Sequence, residues 1–156
     1  MSPIHTRPVR ESDIPQILKL FKDSLPQSYG GFIDMTHDNP WLHGTAADEY
    51  VARTLPDMTV AEDVQGTVVA FGVLQGNFID IVWVRLECRG QGLGTQMMAK
   101  FEARIAEEHD AVRLECFEPN TPAIEFYRRR GYTIERTYFA EDAGVNTAVM
   151  VKELDR

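Results

Sequence analysis

The segment Arg89-Gly90-Gln91-Gly92-Leu93-Gly94 follows an apolar run and opens a stretch with helical apolar spacing, Leu93, Met97, Met98, Phe101 and Ile105. Strand, glycine turn, helix is an arrangement that binds anions. Glycine lets the backbone approach a ligand closely and take conformations closed to other residues. The first N–H groups of a helix have no partner inside it, and the helix dipole adds attraction for negative charge. Phosphate groups suit such a turn, and spacing separates the ligand classes that use it. A P-loop needs Gly-Lys-Ser/Thr at its end, but here Gly94 is followed by Thr95 and Gln96. A dinucleotide fingerprint needs G-x-G-x-x-G. Gly90 and Gly92 fit it, and Glu115 stands about 20 residues on, but the third place is Thr95. The strands before the turn also read as antiparallel. A small nucleotide-dependent oxidoreductase remains a rival reading on this evidence.

The remaining spacing, Arg/Gln-x-x-Gly-x-Gly/Ala, is met at every fixed place by Arg89, Gly92 and Gly94. Further on stands Asn120-Thr121-Pro122-Ala123-Ile124-Glu125-Phe126-Tyr127-Arg128-Arg129-Arg130-Gly131-Tyr132. In this order the two segments resemble the signatures of the GNAT family, the GCN5-related N-acetyltransferases. The resemblance covers nearly the whole chain and is weakest from Gln27 to His43. It implies an α/β (α+β) fold, with a mixed, mostly antiparallel central sheet of six to seven strands and about four flanking helices. It also implies acetyl-CoA as cosubstrate, no metal, and transfer of an acetyl group to a primary amine by direct attack on the thioester.

The resemblance assigns roles to individual residues. The amides of Gly90, Gln91, Gly92, Leu93, Gly94 and Thr95 would hold the pyrophosphate, with Arg89 facing either phosphate or solvent. The backbone of Val84, Arg85 and Leu86 would pair with the pantetheine arm as an added strand lies along a sheet edge. Asn120 would meet pantetheine or acceptor, or else serve as a helix cap. Tyr127 would contact the cosubstrate and act as general acid. A phenol of pKa ~10 can protonate a thiolate whose conjugate acid is near ~8.5 when both are held together.

The base is open. Over Phe78 to Leu86, period-two alternation puts Asp80, Val82 and Val84 on one face. Asp80 is then a lone carboxylate beside the arm, and the resemblance implies that it acts as base, usually through water. Glu87, His37 and His43 are alternatives. An alkylamine needs help, since deprotonating it at pH 7 costs about 4.6 kcal/mol, whereas an α-amine costs only about 1 kcal/mol. Tyr29, Phe32, Trp41, Asp34 and Asp38 supply an aromatic and acidic set suited to a cation. Cys88 and Cys116 read as structural, because direct attack needs no acyl-enzyme.

These groups need positioning elements. A first strand is expected within Ile4 to Arg10. A helix follows, capped by Ser12 or Asp13 with Gln16 completing a capping box, and ended by Pro26. No period is visible from Gln27 to His43. A second helix is expected from Thr45 to about Leu55. Strands follow at Met58 to Ala61, Thr67 to Leu74 and Phe78 to Leu86, then the helix from Leu93. A strand at Ala111 to Phe117 precedes a helix that starts at Thr121-Pro122 and ends at Gly131. Two strands, about Tyr132 to Phe139 and Thr147 to Leu154, close the chain.

The 156 residues fit a single domain, 1–156. Lys plus Arg number 16 against 24 Asp plus Glu, giving 16 − 24 = −8. That balance argues against nucleic-acid binding, which needs a basic face. No apolar run is long enough for a membrane helix, and the first residues lack the core of a signal peptide. With only two cysteines, a reducing cytoplasm is the expected compartment. The acidity attracts cationic small molecules or simply keeps the protein soluble. The expected partner is a small-molecule or peptide amine, with a homodimer allowed. A non-catalytic acyl-CoA sensor of the same fold is the alternative.

Overall fold

Runs rich in Val, Ile, Thr and aromatic residues, bounded by Gly, Asn and Asp, become the strands of this chain. The computed structural model describes residues 4–35 and 39–155. Among these are β1 (His5–Pro8), β2 (Met58–Glu62), β3 (Val68–Gln75), β4 (Phe78–Val84), β5 (Ala111–Phe117), β6 (Thr133–Ala140) and β7 (Val145–Glu153). The helices are α1 (Ile14–Tyr29), α2 (Pro40–His43), α3 (Ala46–Thr54), α4 (Leu93–Ala106) and α5 (Thr121–Arg129). The strands form one sheet in the order β1-β2-β3-β4-β5-β7-β6. Only β4 and β5 pair in parallel.

Each face of the sheet carries its own apolar layer. On one, Ile17, Phe21 and Leu25 of α1 and Tyr50 and Val51 of α3 pack on Val60, Phe71 and Trp83. On the other, Met97, Met98, Phe101 and Ile105 of α4 and Ile124 of α5 pack on Ala70, Leu114 and Met150. The seat of α4 depends on Gly72, where a Cβ would stand 2.6 Å from the Phe101 ring.

The centre of the sheet is split. Only Phe78 with Arg113 and Ile79 with Leu114 pair between β4 and β5. This closed end is reinforced by the Asn77 side chain, which donates to the Ala111 carbonyl at 3.1 Å. Beyond it, β4 stays paired with β3 while β5 stays paired with β7 as far as Phe117. Two neighbouring strands thus follow different partners and part. The split begins at a bulge. Val73 pairs with Ile81 and Leu74 with Ile79, so Asp80 is an extra residue on β4. A bulge of this kind re-aims a side chain.

That bulge overturns the alternation expected for β4. Val82 and Val84 pack toward the α4 and α5 layer. The Asp80 carboxylate instead accepts a hydrogen bond from the Tyr50 hydroxyl of α3, on the opposite face. Other elements also differ from expectation. Helix α1 runs through Pro26 to Tyr29, because the extra turn buries Tyr29 against the rings of Trp83 and Phe117 at 5.4 and 5.2 Å. The capping box does not form at α1. Asp13 takes the Arg7 guanidinium and the Arg10 N–H instead, while Gln16 accepts from the Val68 amide at 3.1 Å. The aperiodic stretch contains α2, capped by the Asn39 side chain on the Trp41 amide. Strand β4 ends at Val84, and a 3-10 turn occupies Leu86–Cys88.

Candidate functional site

The glycine loop connects the open end of β4 to α4. Gly90 and Gly92 have φ of 78° and 82°, the left-handed region that L side chains rarely adopt. Gly92 is the N-cap of α4, and its carbonyl accepts from the Gln96 amide. The amides of Gly90 through Thr95 have no backbone partner among the described residues. They form a row of free donors at a helix N-terminus, the arrangement that favours phosphate oxygens. Gly90, Gln91, Gly92 and Thr95 are exposed, whereas Leu93 is buried and anchors the first turn.

The parted strands leave a free edge that starts at this loop. The Arg85 amide donates to the Val69 carbonyl at 2.8 Å, so Arg85 faces β3. By the alternation of strand amides, Val84 and Val82 then face the gap. The Val84 carbonyl does so, since it accepts from Arg89 Nε at 3.0 Å. The Arg85 guanidinium turns the other way and donates twice to the Val68 carbonyl. Leu86 is half-buried in the 3-10 turn. The Arg89 side chain runs back along β4, donating to Ser28 Oγ at 2.7 Å and lying 5.2 Å from the Trp83 ring centroid. Burial lowers its pKa from the ordinary guanidinium value. Its charge therefore points at α1 and the gap, and the loop amides are left to meet an anion.

Helix α5 forms the far wall of the gap. A Cβ on Gly94 would lie 3.7 Å from Phe126 Cζ and 4.0 Å from Val84 Cγ2, so α4, α5 and β4 converge there. Next along α5 is Tyr127, whose ring contacts Phe126 at 5.3 Å and Tyr132 at 5.8 Å. Its hydroxyl has no hydrogen-bond partner among the described residues. Burial, then the neighbouring Cys116 thiol and Tyr29 hydroxyl, push its ionisation well above that of a free phenol. At neutral pH it keeps its proton. Cys116 sits on β5, and burial pushes its thiol up to about 12. Asn120 is the N-cap residue of α5, but its side chain makes no cap hydrogen bond.

The other face of the gap is aromatic. Tyr29 touches Trp83, Phe117 and Phe32, and so bridges the parted β4 and β5. The row continues through Phe21, 4.9 Å from Trp83, to Tyr50 and Trp41. The expected aromatic set therefore divides: Tyr29 and Phe32 stand at the gap, whereas Trp41 packs on Phe21 and Tyr50. Asp80 is exposed at the edge of this face. Tyr50, bonded to it, has its own ionisation pushed up by burial and by that hydrogen bond. Of the other candidate groups, Asp34 and His43 are exposed, and Glu87 lies by α1 near Lys19 and Asp23. His37 and Asp38 lie outside the described residues.

Sequence reasoning missed Tyr50, Trp83, Phe117 and Ser28 as parts of this site. Tyr50 lies in the span expected only as a helix, and its partner Asp80 lies 30 positions away. The one available signal was a lone Asp in an otherwise apolar strand, which asks for a donor nearby. Among the described residues no group of three His, Cys, Asp or Glu is placed to hold a metal ion. Nor is any helix among them long and apolar enough to cross a membrane.

Comparison with known proteins bears on this geometry. The profile of the acetyltransferase (GNAT) family matches residues 15–132. Blasticidin-S acetyltransferase of Streptomyces morookaense is 31% identical over 92 residues, which is 59% of this chain and 68% of that protein. The peptidyl-lysine N-acetyltransferase YiaC of Escherichia coli K12 is 25% identical over 145 residues, covering 92% of this chain and 93% of its own. The crystal structure of the PaiA N-acetyltransferase of Thermoplasma acidophilum in complex with coenzyme A shares the fold, with a TM-score of 0.78 at 15% identity over 97% of this chain and 99% of that one. Both signature segments fall inside the matched span, which covers most of the chain: this protein belongs to the acetyltransferase (GNAT) family and is an N-acetyltransferase.

Proposed function

We propose that the protein moves the acetyl group of acetyl-CoA to a primary amine of a small molecule or peptide, by direct attack of the amine on the thioester. One observation carries the reading. The free amides of the glycine loop, the unpaired edge of β4 and the unpartnered Tyr127 hydroxyl lie along one gap, where Gly94, Val84 and Phe126 converge. The residues fit the cosubstrate: amides of Gly90 to Thr95 for pyrophosphate, and the Val82 and Val84 edge for the amide-bearing arm. Acetyl-CoA supplies an activated acetyl group and a thiolate leaving group.

The chain's own residues supply the rest. A β4 edge amide donates toward the carbonyl oxygen as negative charge grows on it. Tyr127 gives its proton to the leaving sulfur, and the second proton shed by the attacking nitrogen restores the phenol through water. The Cys116 thiol supports the need for that proton. The same surroundings push a thiol up to about 12, so a thiolate left bare beside Tyr127 is costly. On the aromatic face, Asp80 attracts the ammonium of the acceptor and passes its proton to solvent, with Tyr50 fixing the carboxylate. Tyr29 and Phe32 cover the acceptor's apolar part. The free thiols Cys88 and Cys116 fit a reducing cytoplasm.

The test is CoA release from acetyl-CoA across a panel of amines, with the protein's own thiols subtracted. Polyamines, aminoglycosides and amino acids belong on it, as do blasticidin S and lysine peptides, acceptors for which two relatives are named. At least one is expected to turn over, and Tyr127→Phe to lower kcat by about 10²-fold with CoA affinity intact. A silent panel with acetyl-CoA bound, or a Tyr127→Phe variant at full rate, refutes the proposal.

A further inference from the structure

Among the described residues, Glu102 has an unusual setting for a carboxylate. It lies in the third turn of α4 with its side chain 9% exposed. Arg130 Nη2 donates to its Oε1 at 2.7 Å and Lys152 Nζ to the same oxygen at 3.2 Å. The Tyr132 hydroxyl donates to its Oε2 at 2.7 Å. Glu102 therefore ties α4 to the turn that ends α5 and to β7. Nothing in acetyl transfer as described above uses it.

Tyr132 links this cluster to the gap. It is 2% exposed, its ring touches that of Tyr127, and its amide donates to the Tyr127 carbonyl at 3.1 Å. Among the described residues no hydrogen bond holds the Tyr127 hydroxyl, and packing sets where it stands. One wall of that packing is the Tyr132 ring, whose outer end is held in place by the bond to Glu102. The helix that carries Glu102 also begins at the phosphate-binding loop. One strut thus couples the position of the loop helix to the position of the hydroxyl.

We infer that Glu102 and Tyr132 are positioning residues that hold Tyr127 at the leaving sulfur. The inference rests on Tyr127 being the general acid. It assigns the buried carboxylate a task in catalysis in addition to its ion pairs, and it makes the Tyr132 hydroxyl, which reaches no substrate, matter for turnover.

Tyr132→Phe is the suitable probe. It removes one oxygen, keeps the ring and leaves Glu102 paired with Arg130 and Lys152. Turnover is followed with blasticidin S and with a lysine peptide, in the wild type, Tyr132→Phe, Tyr127→Phe and the double variant. Tyr132→Phe is expected to lower kcat about tenfold, as a small displacement of an oriented group does, with KM for acetyl-CoA unchanged. In the Tyr127→Phe background the same change is expected to cost nothing further. A tenfold loss that persists in that background overturns the inference, as does an unchanged kcat in the single variant. Full activity of Tyr127→Phe alone marks failure of the general-acid reading, and the inference falls with it. A second measurement needs no acceptor: crystal structures of wild type and Tyr132→Phe with CoA. The Tyr127 hydroxyl is expected within hydrogen-bond reach of the sulfur in the first and displaced in the second. Identical positions overturn the inference.

Discussion

Gly92 and Gly94 stand two residues apart in one loop, and the structure gives them opposite tolerances. Gly92 has φ of 82° and ψ of 9° and ends the turn that delivers the chain to α4. An alanine held in that region is strained by roughly 1–2 kcal/mol. Gly94 lies within α4 and outside the left-handed region. A Cβ there would meet Phe126 Cζ at 3.7 Å and Val84 Cγ2 at 4.0 Å, which is ordinary contact. Replacing a helical glycine by alanine gains about 0.5–1 kcal/mol. For a chain of this size each kcal/mol moves Tm by roughly 2–4 °C. Gly92→Ala is therefore expected to lower Tm by roughly 2–8 °C, and Gly94→Ala to raise it by roughly 1–4 °C. CoA sharpens the contrast. At about 100 times its Kd it stabilises the wild type by about 2.7 kcal/mol. Gly94→Ala should keep that gain, because its methyl makes only ordinary contact with Phe126 and Val84 and leaves the loop amides where they are. Gly92→Ala should lose most of it, because relief of the strain turns the loop amides out of register. The assay is thermal unfolding with and without CoA. Equal losses in the two variants, or a full CoA shift in Gly92→Ala, would refute the reasoning.

Two further outcomes concern titration. Asp13 accepts from both Arg7 nitrogens and the Arg10 amide, and its carboxyl is held below the ordinary Asp range chiefly by Arg7. A depressed folded value means that its stabilisation is complete above the unfolded pKa and is lost as pH falls through the folded one. Asp13→Asn should cost about 3 kcal/mol at neutral pH and flatten the acid limb of a pH–stability curve below about pH 4. An unchanged acid limb contradicts this. Cys116, with its thiol raised from 9.0 to about 12, has a thiolate fraction at pH 8 of only about 10⁻⁴. One thiol, Cys88, should react with a disulfide reagent in the folded protein, and Cys116 only after denaturation. Prompt reaction of both contradicts the burial of β5.

Where local pattern decided the structure, the sequence was readable. The β-branched runs became strands within a residue or two, and the glycine loop opened α4 at Leu93 as its spacing required. Long-range terms decided the rest. Alternation cannot register a bulge, so Asp80 was read onto the wrong face of β4. Pro26 lacks one N–H, a local cost outweighed by Tyr29 reaching Trp83 and Phe117. Asp13 had the spacing of a capping residue, but Arg7 across the turn offered a stronger partner. Helix α2 has too few residues to show a period. The parting of β4 and β5 has no local signal, because it depends on which strand each one follows.

A strand edge ordinarily sits at the border of a sheet, where it invites strands of other molecules to add on. This protein puts an edge in the middle of a seven-stranded sheet. The rings of Tyr29 and Phe32 stand on one side of it and the ends of α4 and α5 on the other. An edge enclosed in this way keeps its free hydrogen-bonding groups while being shielded from the strands of other molecules that an outer edge attracts.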